Sequence, residues 1–163
     1  MNLWLSRAAP VVLAMCLLAA TTLVASAQDD LHVGTWKLNL EKSTFSPGPP
    51  PQRQTLWYKA EGRGLTALLQ GVDAAGKPIS PDSSNFIINF DGRDHPTSQL
   101  GFDTSAWTRI SANEYVVKRK KAGKVVLTST NVVSRDGKTM TITTKGVDAD
   151  GRPIHNVRVY DKL

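Results

Sequence analysis

From residue 34 onward, apolar and polar side chains alternate along the chain with a period of two. Trp36, Leu38 and Leu40 are separated by Lys37 and Asn39 and followed by Glu41, which puts three apolar side chains on one face of a strand. The same alternation predicts strands over 55–60, 65–72, 85–90, 105–110, 115–120, 124–133, 138–145 and 153–160. β-Branched and aromatic residues dominate these runs, as a half-buried pleated surface prefers. Beyond residue 27 no run of ten residues carries the i, i+3, i+4, i+7 spacing of a helix, so little helix is expected.

The connections point to antiparallel neighbours. Asp91-Gly92 and Asp136-Gly137 are hairpin-turn dipeptides, and the breaks at 111–113 and 121–123 are equally short. A parallel crossover needs about a dozen residues or more, so the strands read as a meander. One motif recurs: Gly71-Val-Asp-Ala-Ala-Gly-Lys-Pro-Ile79 is echoed by Gly146-Val-Asp-Ala-Asp-Gly-Arg-Pro-Ile154. Nothing else repeats at that offset, so these are two equivalent hairpin tips rather than duplicated domains. The exception to short loops is 41–52, whose three consecutive prolines impose an extended course and leave no room for a helix. A meander with two open edges invites aggregation, and curling into a barrel of about 8–10 strands removes that hazard while leaving space for a small ligand. A two-sheet sandwich would need at least one long return connection.

The first 27 residues have the form of a secretory signal peptide. Arg7 precedes an apolar run over 11–24, and Ala25-Ser26-Ala27 has the small-x-small form of a cleavage site. The run is short for a bilayer span of about 20 residues, so export to a periplasm or beyond is expected, with no membrane span retained after cleavage. The lone cysteine, Cys16, sits inside this run. Residues 28–163 therefore form one cysteine-free domain in which thiolate catalysis and zinc–thiolate sites are excluded. The whole chain carries a formal charge of +6, of which only Arg7 falls in the leader. That mild excess favours anionic surfaces without being a nucleic-acid signature.

Two anchors at opposite ends of the domain carry a family resemblance. Gly34-Thr-Trp36 resembles the Gly-x-Trp signature of lipocalins and the wider calycin group, and Val157-Arg-Val-Tyr-Asp-Lys162 resembles the Arg-x-Tyr strand that closes fatty-acid-binding proteins. The resemblance implies a lipocalin-like β-barrel and gives Arg158 two incompatible roles. By the lipocalin pattern it braces Trp36 at the closed floor. By the fatty-acid-binder pattern it points inward with Tyr160 and holds a ligand carboxylate. The bracing role is the preferred expectation, because it needs no ligand.

Little else in the sequence suggests chemistry. His32, His95 and His155 form no local metal-ligand pair. There is no Gly-x-Ser-x-Gly elbow, and the clustered aspartates fall in turns whose geometry accounts for them. No catalytic residue, cofactor or metal is expected. The expected function is non-enzymatic binding of a small apolar or amphipathic molecule, with Trp36, Trp57, Arg158 and Tyr160 as its candidate contacts. The alternative is a filled barrel that docks on an anionic envelope through a basic surface patch of Lys118, Arg119, Lys120, Lys121 and Lys124.

Overall fold

A computed structural model describes residues 30–79, 85–97, 101–148 and 151–163. The leader and Cys16 lie outside the described residues. The described chain is all β, with ten strands: β1 (Gly34–Thr44), β2 (Arg53–Glu61), β3 (Gly64–Val72), β4 (Asn85–Ile88), β5 (Asp94–Pro96), β6 (Thr104–Ser111), β7 (Glu114–Lys121), β8 (Lys124–Val133), β9 (Thr139–Val147) and β10 (Pro153–Lys162). Every strand pairing is antiparallel.

The strand order is β4-β3-β2-β1-β10-β9-β8-β7-β6-β5. This is a meander in which the first and last strands meet, curled into a half-barrel. Closure is incomplete: β4 and β5 stand at the two ends of the hydrogen-bonded order. β5 is the strand the alternation pattern missed. It has three residues and ends in Pro96, and proline is tolerated on an edge because no ladder bond is demanded of it there.

Period-two alternation fixes which side chains face inward. Leu56 and Tyr58 of β2, Leu65 and Ala67 of β3, Tyr115 and Val117 of β7, Met140 and Ile142 of β9, and Tyr160 of β10 are all buried in one core. The recurring motif makes the same turn twice. Asp73 and Asp148 each pair their amide with the carbonyl four residues on, and each takes a glycine amide, Gly76 or Gly151, on its own carbonyl. Their carboxylates accept from the amides of Lys77 and Arg152.

One end of the half-barrel is a packed floor. Trp36 is fully buried and donates its indole N–H to the carbonyl of His32 at 2.7 Å. The ammonium of Lys162 lies 5.0 Å from the Trp36 ring centre, so the cation over the signature tryptophan is Lys162 and not Arg158. The glycine of Gly-x-Trp leaves this path clear. A Cβ on Gly34 would stand 2.7 Å from Lys162 Cε, in the path of the stem that reaches the ring.

Candidate functional site

Above the floor the interior is hollow, with a cavity of about 590 Å³. Leu56, Tyr58 and Leu69 line one wall, Phe86 and Trp107 a second, and Ile142, Arg158 and Tyr160 a third. The strand register puts the turn at 122–123 and the Val147 and Pro153 ends of β9 and β10 at the open end, where Lys121, Lys124 and Asp148 border the cavity. The tips at 62–63 and 112–113 lie at the floor end.

The candidate residues separate once the faces are known. Arg158 and Tyr160 share an inward face and both line the cavity; Trp36 lies beneath it in the floor; Trp57 faces outward between the inward Leu56 and Tyr58. The expected basic patch also divides. Lys118 is exposed and Lys120 pairs with Asp94 at 2.7 Å. Lys121 and Lys124 stand at the mouth. Arg119 is not a surface residue of that patch: it follows Tyr115 and Val117 on the inward face of β7 and lines the cavity.

Four polar side chains of the cavity lining form one row across four adjacent strands. Arg119 of β7 donates to Ser129 Oγ of β8 at 3.3 Å. Ser129 Oγ lies 2.9 Å from Thr144 Oγ1 of β9, and Arg158 of β10 donates to that same Oγ1 at 3.1 Å. Arg158 Nε is buried without a hydrogen-bond partner. Burial, followed by the neighbouring charge of Arg158, pulls the Arg119 pKa down to about 10, which leaves it cationic at neutral pH. Arg119 is further held by ring contacts, with its guanidinium carbon 5.7 Å from the Trp107 centroid and 5.9 Å from that of Phe102. Tyr160 donates its hydroxyl to Gln54 Oε1 at 3.0 Å, so its proton is already engaged.

A second polar cluster seals the floor. Asp30 is bonded to the amide and ring Nδ1 of His32, at 2.9 and 2.8 Å, and to the Arg109 guanidinium. His32 packs against Tyr115 with ring centroids 4.4 Å apart, and Tyr115 donates its hydroxyl to Tyr58 at 2.9 Å. Burial pushes the Tyr58 phenol up to about 12, so it stays neutral. No group of three or more His, Cys, Asp or Glu side chains converges as a metal site would require among the described residues.

No family model and no curated protein matches the sequence. Among solved structures, the fold is similar to that of zebrafish ileal bile acid-binding protein in complex with cholic acid, at a TM-score of 0.51 and 14% identity. The match covers 82% of this chain and 99% of the zebrafish chain. The fold is calycin-like. At that identity the likeness carries the architecture alone, and the row from Arg119 to Arg158 stands on this chain's own geometry.

Proposed function

We propose that this protein is a non-enzymatic carrier that binds a small amphipathic molecule inside the half-barrel, apolar body against the aromatic wall and polar end toward Arg158. The observation that carries this reading is Arg158 itself. A guanidinium whose Nε is buried without a partner, in the wall of a largely apolar cavity, holds a charge that a ligand anion would satisfy. The cavity volume falls in the range of about 300–1,000 Å³ usual for small-ligand sites. The zebrafish protein of similar fold is a bile-acid binder, which supports the same class of ligand. The leader-like first 27 residues support action outside the cytoplasm, in a periplasm or beyond.

The test is titration of the mature domain with bile acids and fluorescent fatty-acid probes, followed by quenching of Trp107 in the cavity wall. Saturable one-to-one binding is expected. Arg158→Met should weaken it about tenfold or more, as loss of a charge-assisted hydrogen bond of about 1.5–3 kcal/mol requires. No saturation across the panel overturns the reading.

A further inference from the structure

We infer that the head group held in this cavity is a tetrahedral, doubly charged oxyanion, a phosphate monoester, gripped jointly by Arg119, the Ser129–Thr144 hydroxyl pair and Arg158. The inference rests on the carrier reading above and goes further by naming the chemistry of the ligand's polar end.

In the Ser129–Thr144 pair, 2.9 Å apart, one hydroxyl donates to the other. Each oxygen also accepts from an arginine, Ser129 from Arg119 and Thr144 from Arg158. One hydroxyl proton is left over, and Arg158 Nε–H is without a partner. With the arginine Nε–H, the row offers the cavity two protons against a single hydroxyl lone pair. Alcohols and amines bring donors of their own and suit it poorly; an ionised oxyanion brings only acceptors.

The spread of the row selects among oxyanions. A carboxylate's two oxygens are fully served by one guanidinium edge. Here the arginines come from strands on either side of the hydroxyl pair, β7 and β10, with β8 and β9 between them, and adjacent strands stand about 4.8 Å apart. Engaging both arginines and the hydroxyl between them needs a third oxygen pointing in a third direction. Two cations facing one site also favour a group bearing about −1.5 to −2 charge at neutral pH, as a phosphate monoester does. The rings of Trp107 and Phe102 beside Arg119 and its bond to Ser129 hold that arginine in place before a ligand arrives.

Decyl phosphate, decyl sulfate, decanoate and decanol share one tail and differ only at the head, so their affinities for the mature domain at pH 7.5 test the inference. The expected order is phosphate, then sulfate, then decanoate, then decanol, with phosphate at least about tenfold tighter than decanoate. Arg119→Met should cost decyl phosphate about tenfold while leaving decanoate within about threefold. Arg119→Lys keeps the charge and covers the case in which the methionine variant does not fold; it should recover part of the phosphate affinity. Decanoate binding as tightly as decyl phosphate, or both losing equally on Arg119→Lys, overturns the inference and leaves the carrier reading standing. Failure of all four probes to saturate overturns both.

Discussion

Phe86 of β4 and Trp107 of β6 stack with ring centroids 5.8 Å apart and planes 20° from parallel, across the seam where the sheet's two ends are not paired. Backbone hydrogen bonds hold every other strand to its neighbours, so at the seam side chains take over that task. Phe86 also borders a cleft of about 660 Å³ whose lining mixes Glu61, His95 and Ser105 with Ile87 and Pro96, which makes its ring the partition between that cleft and the apolar cavity. Phe86→Ala should therefore do two things. It should lower stability by about 1–3 kcal/mol in urea, less than the 3–5 typical of a fully buried phenylalanine because Phe86 is only half-buried. It should also speed ligand dissociation in stopped-flow displacement. Unchanged dissociation would mean that the ring does not act as a partition.

Asp30 makes the floor acid-sensitive. Burial alone would raise its pKa, but the hydrogen bonds from His32 and Arg109 outweigh that and bring it down to about 2. The unfolded value is about 3.9, so the folded state holds its proton less tightly than the unfolded one. The resulting stabilisation is complete above about pH 4 and is lost as pH falls toward 2. The side chain is only 2% exposed, so the contribution is on the order of 2 kcal/mol. Urea midpoints measured from pH 5 to pH 2 should fall steeply in the wild type and more shallowly in Asp30→Asn, which should already be weaker at pH 5.

Lys162 and Arg158 share one face of β10 but have different roles, and their substitutions should separate stability from binding. Lys162→Met removes the cation over Trp36, a contact worth about 0.5–1 kcal/mol at an exposed site. It should lower the melting temperature by a few degrees and leave ligand affinity alone. Arg158→Met should do the reverse. Removing a guanidinium whose Nε is buried and unpartnered relieves a desolvation cost, so stability should hold or rise while binding falls. A large loss of stability in Arg158→Met would return Arg158 to a bracing role.

Much of this architecture is legible in the sequence because a half-buried sheet writes its faces in alternate residues. The inward set on β2, β7 and β10 follows directly once one member of each strand is known to be buried. Arg119 shows how the same rule can be overlooked. Its neighbours Lys118, Lys120 and Lys121 suggest one charged tip, yet it stands two residues beyond Val117 and so lies on the buried face. Lys162 was equally available, two residues past Tyr160 on the same face of β10. What alternation cannot reveal is contact between strands. The pairing of Ser129 with Thr144 depends on the register of β8 against β9, and serine and threonine in a strand carry no mark of facing inward. The Asp30–His32–Arg109 cluster joins the segment before β1 to β6, a long-range contact without a local pattern.

The recurring Gly-Val-Asp motif has a structural reason beyond its turn, and that reason predicts which glycines can be replaced. A Cβ on Gly71 would stand 2.3 Å from the carbonyl oxygen of Arg53, and one on Gly146 would stand 2.0 Å from that of Val126. Both first glycines thus let the neighbouring strand's backbone come close, and Gly146 also adopts φ of +149°. Backbone cannot swing aside as a flexible side chain can, so Gly146→Ala should cost about 3 kcal/mol or more and displace β8 from β9. The last glycine of the motif differs. Gly151 has φ of +79° but nothing within 4 Å of its Cβ position, so Gly151→Ala should cost only the left-handed backbone penalty of about 1–2 kcal/mol. Urea unfolding of the two variants side by side checks this, and equal losses would mean that close approach of the strands is not what the first glycine provides.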